Sequence, residues 1–319
     1  MKKLKYIFPV VIATLLVSGI VYAVQTGGAG HNNIEVDSGG RTVMGYDATV
    51  CSIGCNYTSI VTALATEGIN KSIYVGRGTY TESADIIFAS GQMVNFDGEV
   101  IVNFSGNQAL YTASDCVLTG KLKLNGEGKL DGGVYVLLNS ADSVNYWDSS
   151  QCRIELNITD RTADTDPQYG AFVLGDNNKL WLYTKDVTIT GATGSTFFYS
   201  GGGAAYNEYK VEIINYSVDI AAAVNIVVLD GSVALNNHIN LIIDKATNAQ
   251  AYDVKGLLIN NDNNTARVNI DEVNTTSGGG GIGVNVSGDY NCIYGVSRNC
   301  DSSNANIGGI GNKTGELAI

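Results

Sequence analysis

NKLWLY from Asn178, NEYKVEII from Asn207, NHINLII from Asn237, NTARVNI from Asn264 and NCIYGV from Asn291 are variants of one phrase. Each is an Asn followed by apolar residues at alternate positions, the pattern of a strand with one buried face. Successive starts lie about 27 to 30 residues apart. A fixed period in that range signals a repeat architecture, because one such unit cannot bury its apolar face without a neighbour stacked on it. Units built of strands and turns stack as a β-solenoid.

A second strand series keeps the same period: Ala171 to Leu174, Thr196 to Tyr199, Asn225 to Leu229, Gly256 to Ile259 and Ile282 to Val286. Two interleaved series imply at least two sheets running the length of the solenoid. Earlier segments of similar pattern are Ile86 to Phe88, Val94 to Phe96, Val100 to Phe104, Val117 to Leu124, Val134 to Leu138 and Ile154 to Ile158. The Asn that heads each copy suits a corner, since Asn tolerates the left-handed conformation. Asn stacked on Asn can also hydrogen-bond from coil to coil. A position that repeats is structural, whereas an active site occurs once. Gly201 to Gly203 and Gly278 to Gly281 read as loops between strands, and no second domain is indicated.

Composition agrees with an all-β chain. Gly is frequent (39 residues), Pro is rare (2), and Val, Ile, Thr and Tyr dominate over the charged helix formers. The formal charge of −12 argues against a nucleic-acid partner, which calls for a basic footprint, and against docking on anionic lipid.

The first residues carry a different signal. Lys2, Lys3 and Lys5 precede a mostly apolar run from Tyr6 to Val21, and Val21-Tyr22-Ala23 supplies a cleavage site. The expectation is a secretory signal over 1–23. If retained, the segment is close to the shortest membrane span, so a membrane contact is expected only in that case. Beyond it the chain divides into an N-terminal arm at 24–50 and a parallel β-helix domain at 51–319. The expected location is secreted or cell-surface. Within the domain, residues 57–67 form one helix, with Thr58 as a possible cap, Ile60, Ala63 and Leu64 on one face, and Gly68 as the stop. A helix there would cover the end of the apolar core and the first strand edge.

The helix followed by IYVGRGTYTES (Ile73 to Ser83) resembles the opening of the pectin-lyase-like, right-handed parallel β-helix superfamily. The detailed likeness covers 57–83. That resemblance implies an all-β, right-handed parallel β-helix with a short N-terminal capping helix. It also implies possible activities, which the residues do not follow. The Asn-Thr-Asp, paired Asp and Gly-His-Gly phrases of polygalacturonase-like members are missing, and the only histidines are His31 and His238. Of the methylesterase-like phrases only Gly78-Thr79-Tyr80-Thr81-Glu82 is present. Lyase-like members need clustered calcium-binding acids with an Arg base, and this chain has few arginines. No catalytic residue carries over.

Candidate sites are accordingly sparse. Asp160, Asp164 and Asp166 lie in one inserted loop, where they could hold calcium or form an acid/base pair for glycoside cleavage, or simply be solvated. No other cofactor is expected. Asp262, Asp271 and Glu272 read as outward-facing rungs, and His238 as a surface residue. Cys51 with Cys55, and Cys292 with Cys300, are disulfide candidates in an exported chain. Cys116 and Cys152 read as inward core thiols. Glycosylation sequons stand at Asn56, Asn70, Asn103, Asn157, Asn215, Asn263, Asn274, Asn285 and Asn312, a modest excess over chance. The 18 Tyr, with Trp147 and Trp181, either stack inward or offer sugar-binding surface.

Three functions fit. The first is a secreted structural or surface protein (cell envelope, sheath, extracellular matrix or adhesin) acting through self-association or cell-surface glycans. The alternatives are a polysaccharide lyase or glycoside hydrolase, and a virion spike or host-binding protein.

Overall fold

A computed structural model of the chain describes residues 35–36, 42–43, 45–105, 108–113, 115–126, 134–138, 152–158, 168–190, 195–201, 204–231, 236–276 and 278–318. Two parallel sheets wind into a β-solenoid. The second strand series forms a nine-stranded sheet, from Ile86–Ile87 through Leu110–Thr112 and Val134–Leu138 to Ser303–Ile307. The Asn-headed series belongs to a fourteen-stranded sheet that starts at Ala48–Val50 and ends at Lys313–Ala318. That sheet therefore begins inside the segment assigned above to the arm. Upstream, Glu35–Val36 and Thr42–Val43 pair antiparallel with each other.

The long sheet turns partway along several coils, where Asp186 and Asn215 take positive φ, a feature the strand patterns did not reveal. Lys179–Thr190 and Glu208–Asp219 run through the bend as single strands of 12 residues each. In later coils the chain breaks there, and Ala246–Asn248 and Val273–Thr275 continue the ladder separately. The two segments Val94 to Phe96 and Val100 to Phe104 prove to be one strand, Met93–Phe104, bulged between Phe96 and Glu99.

Alternation fills the interior. Leu122, Ile154, Leu182, Val211, Leu241 and Val268 stack rung on rung, each buried. Cys116 and Cys152 are also buried, and burial raises the Cys116 thiol pKa and pushes Cys152 up to about 12. Neither ionises readily at neutral pH, so neither has the thiolate character of a nucleophile.

The heading asparagines do form a ladder. The backbone N–H of Asn178 donates to Asn207 Oδ1 (2.6 Å), Asn207 to Asn237 (3.0 Å), Asn237 to Asn264 (3.1 Å), Asn264 to Asn291 (2.8 Å) and Asn291 to Asn312 (2.6 Å). Their conformation corrects the corner argument. None of them has positive φ; the residue before each one does. Those residues are Asn177 (56°), Tyr206 (58°), Asn236 (49°), Asn263 (58°), Tyr290 (55°) and Gly311 (69°). The left-handed residue turns the chain, and the next Asn bonds to the following coil.

The helix spans Ile60–Glu67 and buries Ile60, Ala63 and Leu64. Its N-cap is Ser59 rather than Thr58, with Ser59 Oγ accepting from Thr62 N–H at 3.2 Å. Gly68, at φ 74°, ends it. The helix packs on Ala48–Val50, Ser72–Val75, Gly78–Glu82 and Ile86–Ile87. The outer edge of Ala48–Val50, however, is met by Tyr57, whose N–H donates to Thr49 O and whose carbonyl accepts from Cys51 N–H, both at 3.0 Å. A disulfide between Cys51 and Cys55 ties the turn that brings Tyr57 there.

Candidate binding face

Every second residue of the long sheet points away from the core, and in-register stacking sets these side chains in columns. One column runs Lys121, Arg153, Trp181, Lys210, Asn240, Arg267, Tyr294. Glu99 precedes Lys121 in it, and Arg77 lies one residue before Gly78, the partner of Val100. Four cations and two aromatic rings thus share one column of a chain that is acidic overall. From Trp181 onward each member stands three residues after a ladder Asn. Comparing that position across the five copies would have revealed the column; composition and motif searches pass over it.

The column's side chains are braced from the neighbouring one. The Arg153 guanidinium carbon lies 3.8 Å from the centre of the Tyr183 ring, and Lys210 Nζ lies 3.8 Å from the centre of Trp181. Trp181 Nε1–H donates to Glu212 Oε1 at 3.0 Å, and Lys210 pairs with the same oxygen at 2.7 Å. Lys123 pairs with Glu155 at 2.9 Å. Rings and cations are held in place before any ligand arrives, which lowers the entropy lost on binding.

Among the described residues two hollows open along this column. One of about 570 Å³ is lined by Arg77, Gly98, Lys121, Lys123, Arg153 and Glu155, among others. The other, of about 400 Å³, includes Lys210, His238, Asn240, Arg267 and Tyr294. His238 lies on the exposed rim, as the sequence suggested.

The other candidate residues scatter. Asp160, Asp164 and Asp166, with the possible calcium site, lie outside the described residues, as do His31, Trp147, the segment 1–23 and the Asn157 side chain. Among the described residues no group of three His, Cys, Asp or Glu could hold a metal ion, and no helix is long and apolar enough to cross a membrane. Cys292 and Cys300 stand as separate thiols, which corrects their pairing. Asp262 is not an outward rung: it is half-buried, and its Oδ1 accepts from Asp289 N–H at 2.6 Å, joining two coils. Asp271 and Glu272 do face outward, in ion pairs with Arg298 (2.6 Å) and Lys245 (2.8 Å). The Asp271 carboxyl is held below its usual pKa, chiefly by the hydrogen bond from Arg298.

Three of the sequons have a backbone explanation. Asn70, Asn215 and Asn263 are exposed residues with positive φ, where Asn is favoured for its conformation. Asn312 belongs to the ladder, and its Nδ2 donates to Gly288 O (2.8 Å) and Gly308 O, so a glycan there would break those bonds. Asn125 Nδ2 donates to Asn103 Oδ1 at 2.9 Å, and Asn56 Oδ1 accepts from Thr49 N–H at 2.9 Å. Asn274 and Asn285 are half-buried.

The phrase shared with the methylesterase-like proteins is likewise structural here. Tyr80 is buried and donates to Gly76 O at 2.6 Å, while the buried Glu82 bonds to the start of the helix. Comparison with protein-family models, with curated proteins and with solved structures returned no match in any of the three. The structure itself defines the class, a β-solenoid.

Proposed function

We propose that this chain is an exported β-solenoid that binds polysaccharide along the outward column of its long sheet, at a cell surface or in an extracellular matrix. The observation that carries the proposal is the alignment of Arg153, Trp181, Lys210, Arg267 and Tyr294 in one row. Rungs are about 4.8 Å apart, so the row presents a polar or aromatic group at intervals comparable with a sugar ring. Indole and phenol rings stack on the C–H faces of sugars, and cations hold hydroxyl or acidic groups. The apparent leader at 1–23 and the Cys51–Cys55 disulfide support export. The likeness of IYVGRGTYTES to the pectin-lyase-like superfamily supports a carbohydrate partner by analogy of fold alone.

Affinity electrophoresis of the full chain through gels containing a panel of plant, bacterial and animal polysaccharides tests the proposal. At least one polymer should retard the protein, and Trp181→Ala should weaken that retardation about tenfold, in keeping with one lost stacking contact of about 1–2 kcal/mol. The proposal fails if no polymer retards the protein, or if Trp181→Ala migrates as the parent does with circular dichroism unchanged.

A second mode, self-association, is favoured by one edge. Tyr206 and Tyr290 are 63% and 61% exposed at equivalent corners, where they can pack on a neighbouring molecule. Sedimentation of the parent and of Tyr206→Ser/Tyr290→Ser across a range of concentrations decides this: a monomer throughout rules it out.

A further inference from the structure

We infer that the groove between Arg77 and Arg153 is an oxyanion site, taking a sulfate or carboxylate group of the bound polymer. The inference rests on the binding role proposed for this face and narrows its ligand class. Four cations, Arg77, Lys121, Lys123 and Arg153, converge on the groove against two carboxylates, Glu99 and Glu155. Lys123 is matched by Glu155. Among the described residues Arg77, Lys121 and Arg153 form no ion pair. A local excess of positive charge in a chain of formal charge −12 is not a consequence of composition.

Arg153 adds an independent observation. Its Nε is buried and meets no hydrogen-bond acceptor among the described residues, while its guanidinium lies over Tyr183. A buried donor without an acceptor is unfavourable, so the Arg153 head keeps hydrogen-bonding capacity that the described residues leave unused. A guanidinium is also the side chain best shaped to bind carboxylate or sulfate through two N–H groups.

The groove is preformed by the bulge in Met93–Phe104. Gly98 (φ 72°) and Gly120 (φ 93°) both occupy the left-handed region. A Cβ on Gly98 would come within 2.7 Å of Arg77 Nε, and one on Gly120 within 1.9 Å of Phe96 O. Glycine at 98 therefore makes the room in which the Arg77 side chain lies. Glycine at 120 lets two coils approach closely beneath it.

Three polymers of defined charge test the inference by calorimetry on the full chain in 50 mM salt: dextran, dextran sulfate and hyaluronan, which are neutral, sulfated and carboxylated. At least one charged polymer should bind ten times or more tighter than dextran. Arg77→Gln/Lys121→Gln should erase that preference, bringing the affinity for the charged polymer down to that for dextran. Tighter binding of only one charged polymer identifies the source of the oxyanion. Equal binding of all three overturns the oxyanion site and leaves the binding face standing. If none of the three binds, inorganic sulfate decides the groove alone. At matched ionic strength, sulfate should raise the melting temperature of the parent more than that of Arg77→Gln/Arg153→Gln. An equal rise in both overturns the oxyanion site.

Discussion

Glu82 Oε1 accepts the backbone N–H of Ile60 at 2.7 Å, so the first turn of the helix is completed by a carboxylate from a strand 22 residues further on. Its other oxygen takes the Ser59 hydroxyl at 2.9 Å. At the opposite end the buried Gln92 donates through Nε2 to Leu64 O (3.0 Å) and Gly68 O (2.7 Å). A helix of 8 residues is too short to persist alone. Here the solenoid satisfies both its ends, and the helix seats Ile60 and Leu64 on the first coils in return.

Removing either clamp should therefore cost more than an exposed cap would. Glu82→Ala leaves a buried N–H without an acceptor, a loss of about 1–3 kcal/mol, with Gln92→Ala comparable. Glu82→Gln keeps one acceptor oxygen and should lose less than Glu82→Ala. Urea unfolding followed by circular dichroism checks the order; a Glu82→Ala midpoint equal to the parent's would show that the helix end is hydrated rather than clamped.

Adjacent asparagines offer a sharper contrast. Asn264 accepts from Asn237 N–H and donates to Asn291 Oδ1 at 3.1 Å inside the solenoid, whereas Asn263 is exposed and serves only through its left-handed backbone. Asn264→Ala should destabilise by about 2–4 kcal/mol, from unpaired buried amide groups on both sides. Asn263→Gly should stay within about 0.5 kcal/mol of the parent, because glycine adopts the same φ freely. Equal losses from the two substitutions would contradict the assignment of ladder and corner to separate residues.

That division of labour explains what the sequence made readable. Period, strand alternation and Asn stacking are local and repeated, so the solenoid follows from Asn178 to Asn291 alone. The corner residue was misplaced by one position because it varies in kind: Asn177, Asn236 and Asn263 share the φ angle with Tyr206, Tyr290 and Gly311, while the ladder position after it is Asn every time. Columns across coils were missed for a related reason. Lys121 and Arg153 are partners across 32 residues, and nothing in either segment announces it until the register is known. Pairing of Glu82 with Ile60 is of the same kind, so a phrase shared with enzymes gave no sign of its structural task.

Tyrosine at a left-handed corner is strained, since an L side chain there costs about 1–2 kcal/mol that glycine avoids. Tyr206 sits at φ 58° and is 63% exposed, so little packing offsets the strain. Tyr206→Gly should raise stability, by about 0.5–1 kcal/mol after allowing for the greater freedom of glycine in the unfolded chain. Tyr290 is a less suitable test because its ring lies against Gly311. A lower urea midpoint for Tyr206→Gly would show that the ring makes stabilising contacts on the edge.

Alkaline pH probes the buried phenols. Burial pushes Tyr80 up to about 12 and raises Tyr209 further still. An unfolded tyrosine ionises near pH 10. Between those values the unfolded chain has released protons that the folded chain retains, so stability is intact below about pH 10 and falls as pH rises toward 12. Each such group contributes a slope of about 1.4 kcal/mol per pH unit within its window. Buried Cys152 adds a similar slope that starts lower, near the ordinary thiol value. Tyr80→Phe should start less stable at pH 8, because Gly76 O loses its 2.6 Å donor. Above pH 10 it should lose stability more slowly than the parent, by one proton's worth of slope. Unfolding free energies from urea titrations at pH 8, 10, 10.5 and 11 give both numbers. Parallel curves for parent and variant would mean that the Tyr80 hydroxyl is open to solvent in the folded chain.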